Sequence, residues 1–410
     1  MSVACLLIGF LQLLRCAARR TPAFDLPLRA RWLAAALPLV ALAGLVPVPM
    51  AIRAMISPDG AALLAAADAS AAGSWRPISL DPRSTLGAAA VAASCAIAFW
   101  IVGRAAGRPS LAKWLRGILL AGGAALAGFG LVYRLWDYDQ TSIYWRFPLP
   151  DVATPFGPYV NRNHFAGVML LFIGVAAGSA LAAVAAGRRL VALPALAAGA
   201  VSVLALAATG SRGAGVGLLA GAACLVWGSP RGGRIRLVGL LAGAVAAFVA
   251  VLAVLGLLGE VTGRIHLGLE GRESNRFAVQ WDAVRVFAGA PVFGTGAGTF
   301  AAVYPPFQTV TDMRFFSNAH SDWAQFLMET GLVGAAFVAA ALSHLVPRLR
   351  HAAREADPRR WLVIGPAAGC AAMCVHGFFE TNLHLPANAL LFATTLSLAY
   401  GASMRAEAPA

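Results

Sequence analysis

Residues 318–334 read NAHSDWAQFLMETGLVG, and here a polar segment around His320 leads directly into an apolar run. They close a longer polar interruption, residues 271–334, in a chain that is otherwise mostly apolar. Arg, His, Asp and Glu are concentrated in this interruption, where a lipid bilayer does not explain ionisable groups. The stretch therefore predicts a point at which the chain enters a membrane and a polar site beside it.

The composition of the 410 residues indicates a membrane protein, because 59% are hydrophobic and only 12% are charged. A soluble domain carries about 25% charged residues. The net charge of +14 could indicate a nucleic-acid partner, but the basic residues form short clusters between apolar runs. That arrangement is the positive-inside pattern of membrane proteins, so no nucleic acid is expected.

Eleven apolar runs approach the length of about 20 residues that a membrane-spanning helix needs. They are residues 1–14, 32–52, 86–102, 117–133, 165–186, 190–208, 213–228, 237–259, 331–346, 361–375 and 386–403. The excess of Arg and Lys lies in alternate loops, which assigns those loops to the cytoplasm. The long polar segments 53–84, 134–164 and 260–320 then lie outside the cytoplasm.

We therefore predict an all-α integral membrane protein with about 11 transmembrane helices. A long, partly helical periplasmic loop, residues 259–330, precedes the ninth span. Residues 1–410 form a single polytopic membrane domain in this prediction. The spans are nearly free of charge, whereas ion-coupled transporters usually bury ionisable groups near the middle of the bilayer. The sequence thus favours chemistry or binding at the outer membrane face.

Several basic residues on the predicted outer face could bind an anion. Arg212 lies in a tight turn between two spans, where it either reaches toward lipid headgroups or holds an anion at the rim of a cavity. Arg272 and Arg276 lie near the start of a predicted surface helix, residues 274–289, whose N-terminus favours negative charge. A solvated basic face is the alternative for this pair.

Two further patterns lie close to that helix in the sequence. Phe277, Trp281, Val284 and Ala288 form an apolar stripe that predicts contact with the membrane surface or with the span bundle. The glycine-rich segment 294–298 follows no strand, so it is interpreted as a flexible turn and not as a phosphate-binding loop.

His320 is the candidate proton acceptor, because a neutral imidazole near a helix N-terminus can take a proton from a hydroxyl group. Asn318 or Ser321 could cap the helix that follows. Asp322, Gln325 and Glu329 share one face of that helix. No spacing of two histidines predicts a metal site.

Polar residues also cluster in two other outer segments. Asn161, Arg162 and His164 lead into a span, with Asn163 as the expected helix cap. The loop 376–384 contains His376, Glu380, Asn382 and His384, and these groups could approach the same cavity.

Four motifs in order make the chain resemble the O-antigen ligase and O-antigen polymerase superfamily of bacterial envelope enzymes. They are NRNHFAG (161–167), GSRG (210–213), Asn275-Arg276 with Trp281 and a downstream PxxGxG (275–296), and NAHSDW followed by ETGLxG (318–334). The resemblance is specific over residues 155–335 and topological elsewhere.

The resemblance implies a membrane glycosyltransferase of lipopolysaccharide or polysaccharide biosynthesis in the bacterial inner membrane, with its active site facing the periplasm. It would move a glycan from undecaprenyl diphosphate to a hydroxyl of lipid A-core or of a growing polysaccharide, without a metal or another cofactor. Arg212 and Arg276 would hold the diphosphate, and His320 would act as the general base. The sequence does not separate a ligase, a polymerase and an oligosaccharyltransferase that acts on protein, and a non-catalytic permease or flippase is the alternative.

The remaining candidates are assigned to substrate binding. They are Arg272, Asn161, Arg162, His164, Asn318, Asp322 and Glu329.

Overall fold

The computed structural model describes residues 26–68, 70, 73–136, 142–144, 146–149, 153–229, 233, 238, 272–310, 315–355 and 357–406. Within them the chain is mostly helical. The α-helices are α1 (Leu28–Ala43), α2 (Met50–Ile56), α3 (Pro58–Ala67), α4 (Pro82–Ala106), α5 (Pro109–Trp136), α6 (Arg162–Ala185), α7 (Arg189–Ala208), α8 (Arg212–Trp227), α9 (Arg272–Ala288), α10 (Phe300–Val303), α11 (Asp322–Arg354), α12 (Trp361–His376) and α13 (Pro386–Ala406). Two short antiparallel pairs join β1 (Pro47–Pro49) to β2 (Trp75–Pro77) and β3 (Ser142–Ile143) to β4 (Phe147–Pro148).

Five helices among the described residues, α4, α5, α6, α7 and α11, are long and apolar enough to cross a membrane. Helix α8 is apolar but shorter. The predicted spans 361–375 and 386–403 are helical, as α12 and α13. The predicted spans 1–14 and 237–259 lie outside the described residues, apart from Val238. An all-α, multi-pass protein fits these findings, whereas the number eleven stays a prediction.

The predicted span 32–52 is wrong as a single helix. Helix α1 ends at Ala43, and the chain then continues as the strand β1 before α2 begins at Met50. Pro47 and Pro49 explain the break, because a proline has no backbone N–H to donate and its ring obstructs the preceding helical turn. Proline changes the mean hydropathy of a segment only slightly, so the apolar run gave no indication of this break.

The described residues form two compact units. The first unit comprises those within 26–101, 272–346 and 377–393, and the second those within 102–229, 347–376 and 394–406. In the second unit, α6 packs against α7, α8 and α12, and α5 packs against α6 and α7. A Cβ placed on Gly174 would lie 2.6 Å from the backbone of Gly369, so glycines permit the close approach of α6 and α12.

Helix α9 anchors the core of the first unit. Val279, Ala283 and Val286 are buried in one cluster with Phe300 and Met328. The described helix matches the predicted surface helix, residues 274–289, within a few residues.

The predicted apolar stripe is divided, because Val284 packs against this cluster whereas the other three residues face away from it. The side chains of Phe277 and Trp281 are 59% and 58% exposed, and Ala288 is exposed as well. Because large apolar side chains are rarely left in water in such numbers, this face fits contact with a membrane surface better than contact with a protein core.

A kink at Gly331 divides α11, where the backbone adopts φ 61° and ψ −155°. The N–H groups of Leu332 and Val333 donate to the carbonyl oxygens of Pro291 and Val292, at 2.8 and 3.1 Å. A Cβ on Gly331 would lie 2.6 Å from the backbone nitrogen of Gly294. Glycine is therefore required at position 331 both by the positive φ and by the close contact of the two segments.

Candidate functional site

The buried carboxylate of Glu380 contacts both Arg276 and His320, two site residues that were predicted from the polar residues 271–334. Glu380 is 1% exposed, and its Oε1 lies 3.1 Å from His320 Nδ1. Its Oε2 accepts a hydrogen bond from Arg276 Nη1 at 3.3 Å. The two cationic or basic side chains are only partly buried, at 35% exposure for Arg276 and 23% for His320. Each therefore offers part of its side chain to a substrate.

The contact with Glu380 fixes the orientation of the imidazole. A carboxylate at Nδ1 holds the proton of a neutral imidazole on that nitrogen, which leaves Nε2 as an acceptor. The Arg276 guanidinium neutralises the second oxygen of the same carboxylate. Together the three groups can accept a proton at Nε2 and hold an anion beside it.

The backbone around His320 is fixed on both sides. His320 has φ 53°, a left-handed conformation that is uncommon for a residue with a side chain. Its carbonyl oxygen accepts a hydrogen bond from Gln280 Nε2 at 2.7 Å, which ties it to α9. Ser321 caps α11, since its Oγ accepts from the N–H of Ala324 at 3.3 Å. Of the two expected caps, Asn318 and Ser321, the second makes this contact.

Asp322 binds the loop that contains Glu380. Its Oδ2 accepts from the N–H of Asn382 at 3.0 Å, and its Oδ1 accepts from the N–H of Leu383 at 2.8 Å. In return, the Asp322 N–H donates to the carbonyl oxygen of Gly377 at 2.7 Å. These contacts hold the loop against the start of α11 and so place Glu380 at His320.

The glycine-rich segment 294–298 forms the predicted turn, but it is packed against Glu329, and the expectation that it is flexible is wrong. The N–H of Gly298 donates to Glu329 Oε2 at 2.7 Å, and the N–H of Phe300 donates to Glu329 Oε1 at 3.2 Å. A Cβ on Gly294, where φ is 67°, would collide with the backbone of Glu329. The loop therefore binds a carboxylate of its own chain through backbone N–H groups.

His384 lies between the carboxylates of Asp322 and Glu329. Its Nδ1 is 3.1 Å from Asp322 Oδ1, and its Nε2 is 3.5 Å from Glu329 Oε2. Burial by itself lowers the pKa of His384, but the hydrogen bonds to Asp322 and Glu329 outweigh it and raise the pKa to about 10. The imidazolium of His384 is a structural cation that links the loop 376–384 to α11.

The raised pKa of His384 predicts a pH dependence of stability. The stabilisation is complete below the unfolded-state pKa of 6.5 and is lost as pH rises through about 10. We expect the melting temperature of the purified protein to fall between pH 7 and 10, and the His384→Asn variant to lack most of this slope. Thermal unfolding at matched ionic strength measures it. Equal slopes in the two proteins would contradict the assignment.

The other predicted substrate-binding residues have varied positions. Arg272 begins α9, and Asn318 donates to the neighbouring Ser317 Oγ at 3.1 Å. Asp322 and Glu329 are buried, and the contacts described above join them to other groups of the protein. Their roles toward a substrate stay predictions.

Arg212, Asn161, Arg162 and His164 belong to the second unit. Arg212 begins α8 and is half-buried. Asn161 caps α6, since its Oδ1 accepts from the N–H of Asn163 at 2.9 Å. The expected cap, Asn163, is therefore the donor and not the acceptor. His164 Nε2 lies 3.4 Å from Asn161 Nδ2, and the N–H of Arg162 donates to the carbonyl oxygen of Thr154.

Within the described part of the chain, no group of three His, Cys, Asp or Glu side chains is arranged to hold a metal ion. The sequence indicated the loop 376–384 only as a set of polar groups that could approach His320. What it missed is that Glu380 contacts both His320 and Arg276. The five polar residues in nine positions were the available signal.

Five described helices are long and apolar enough to span a membrane, and a buried carboxylate contacts both a histidine and an arginine. These features are those of a multi-pass membrane protein with a polar cluster of side chains. The family model described as O-antigen ligase matches residues 196–339. Over these residues the chain is similar to the O-antigen ligase family, and the resemblance inferred from its motifs is confirmed. The match contains Arg212, Arg276 and His320 and supports a membrane glycosyltransferase of the ligase or polymerase type. No curated protein sequence matches the chain.

Proposed function

We propose that this protein transfers a glycan from undecaprenyl diphosphate to an acceptor hydroxyl at the periplasmic face of the bacterial inner membrane. The observation that carries the proposal is the contact of Glu380 with both His320 and Arg276. It supplies an oriented imidazole and a guanidinium within one partly exposed group of side chains.

In the proposed step, the acceptor oxygen attacks the anomeric carbon of the donor sugar. A new glycosidic C–O bond forms as the bond from that carbon to the diphosphate oxygen breaks. The electron pair leaves with the lipid diphosphate, and the hydroxyl proton passes to Nε2 of His320. Atoms and charge balance without a metal or a nucleotide.

Arg276 and Arg212 stabilise the negative charge that develops on the leaving diphosphate. A guanidinium suits this task because it is permanently charged and makes paired hydrogen bonds to phosphate oxygens. Arg276 shares its charge with Glu380 before the donor binds, so the diphosphate competes with an internal carboxylate. Arg212 is included because it lies in the GSRG motif within the matched region.

The acceptor is either lipid A-core, in a ligase, or a growing polysaccharide, in a polymerase. Glycan profiling of a strain that lacks the gene tests the function and separates these cases. Loss of long chains from lipid A-core, with lipid-linked polymer accumulating, indicates a ligase. Products with a single repeat indicate an O-antigen polymerase, and loss of secreted polysaccharide alone indicates an exopolysaccharide polymerase.

The wild-type gene on a plasmid is the control, because it must restore the original profile. Unchanged glycans in the deletion strain, in the absence of a second copy of the gene, would overturn the proposal. A permease or flippase predicts a different result, in which lipid-linked glycan accumulates on the cytoplasmic side of the membrane.

A further inference from the structure

Arg53 is a buried cation whose charge is not compensated by the described residues. It lies in α2 of the first unit, and its side chain is 1% exposed. All three guanidinium nitrogens, Nε, Nη1 and Nη2, are buried without a hydrogen-bond partner among the residues that the structure describes. Burial lowers the pKa of Arg53, which reflects the missing compensation. A guanidinium in this state requires an anion, because an unpaired buried charge is strongly destabilising.

A second unsatisfied donor lies beside it. The Oγ of Ser57 is also buried without a hydrogen-bond partner among the described residues. Ser57 occupies the N-cap position of α3, but its side chain makes no capping hydrogen bond. The hydroxyl is thus available at the positive end of a helix of 10 residues.

Gly60 completes a small cradle. A Cβ on Gly60 would collide with Ser57 Oγ and would lie 3.5 Å from Arg53 Nη1. The hydroxyl and the guanidinium therefore converge on the face of Gly60 that has no side chain. A side chain at this position would overlap the hydroxyl and contact the guanidinium.

We propose that Arg53, Ser57 and Gly60 form a binding site for a phosphate group. The planar guanidinium matches paired phosphate oxygens, a serine hydroxyl donates to a third, and the helix N-terminus adds partial positive charge. The phosphate belongs either to a lipid headgroup or to free inorganic phosphate. This site is separate from the residues proposed to act in glycan transfer, and it does not depend on that function.

The site is connected to helix α9. The N–H of Asp59 donates to the carbonyl oxygen of Gly289 at 3.3 Å, just beyond the end of α9. Leu63 packs against the cluster that contains Val279, Ala283 and Val286. A phosphate bound at Arg53 would thereby stabilise the segment that supports α9, which contains Arg276.

Thermal unfolding of the full-length protein, purified in a phosphate-free sugar detergent, tests the proposal. One comparison adds inorganic phosphate or chloride at equal ionic strength. The other uses nanodiscs of phosphatidylglycerol or of a galactolipid, which has no phosphate. The wild-type melting temperature should rise by about 3 °C or more in at least one comparison, and the responding comparison identifies the source.

The Arg53→Met variant should show neither rise. Without phosphate it should be at least as stable as the wild type, because it removes an uncompensated buried charge. Arg83→Met is the matched control, since Arg83 is exposed in the same outer segment, and it should keep the wild-type response. Gly60→Ala keeps Arg53 but places a methyl group against Ser57 Oγ, so it should also lose the response.

Three results would overturn the site. They are the absence of any phosphate response in the wild type, an equal response in Gly60→Ala or Arg53→Met, and a marked loss of stability in Arg53→Met without phosphate. The last result would show that the guanidinium is satisfied within the chain.

Discussion

Replacing His320 with alanine is expected to lower the rate of glycan transfer by about 10²–10⁴-fold, the usual contribution of a positioned general base. The acceptor hydroxyl would then have no oriented group to take its proton as the new bond forms. Donor binding should change much less, because the diphosphate contacts are assigned to arginines. We therefore expect the loss to appear in kcat and not in KM.

The measurement is transfer from a purified lipid-linked donor by membranes that contain equal amounts of each variant. His351→Ala is the matched control, because His351 is an exposed histidine whose recorded ion pair is with Glu355 on the surface. It should leave the rate unchanged. A His320→Ala protein that reaches the membrane and transfers glycan at the wild-type rate would exclude His320 as the base.

A companion variant tests the orientation of the imidazole. Glu380→Gln removes the charge that faces His320 Nδ1 and Arg276, and the rate should fall by about 10–100-fold, as for other residues that orient a functional histidine. Glu380→Asp keeps the charge and should recover part of the rate. Full activity of the glutamine variant would show that Glu380 does not position His320.

Glu329→Ala is expected to destabilise the protein by about 3–5 kcal/mol, the usual cost of removing one partner of a buried ion pair. The N–H groups of Gly298 and Phe300 would lose their acceptor, as would the Gln325 side chain. His384 would keep a positive charge with one carboxylate fewer. Each group left without a partner adds to the loss.

Chemical or thermal unfolding in detergent, together with the amount of protein in the membrane, measures this effect. Glu329→Gln should be intermediate, because the amide oxygen can still accept one of the backbone hydrogen bonds. Glu355→Gln is the control, since the recorded partner of Glu355 is His351, and it should be close to neutral. A Glu329→Ala protein as stable as the control would show that the glycine-rich segment 294–298 does not depend on its carboxylate.

The sequence predicted the helical membrane class, the surface helix α9 and the residues around His320 because each has a local signal. Apolar runs, a cap and a stripe are all visible within a few turns of chain. Glu380 could not be assigned in the same way, because it lies 60 residues from His320 and 104 residues from Arg276. Only folding brings these three together.

Two errors have the same physical origin. The run 32–52 was predicted as one span because hydropathy averages over Pro47 and Pro49, although two prolines end a helix. The segment 294–298 was predicted to be flexible because glycine usually indicates freedom. Here the glycines allow positive φ and close packing, and the carboxylate that the loop binds is 31 residues away from Gly298.

The kink at Gly331 also fixes the distance between the start of α11 and its apolar part. Residues 322–330 form the polar part of α11 and rise by about 13 Å before the apolar part begins. Because the two parts are joined directly at the kink, the length of the first part limits how far the start of α11, just after His320, lies from the apolar segment. A donor anchored in the bilayer, as proposed, would therefore reach His320 at one fixed distance from the membrane. A residue inserted between positions 322 and 329 would lengthen this part by about 1.5 Å and turn Asp322 by about 100° relative to Glu329. It would therefore change the distance and also break the shared contact of these carboxylates with His384.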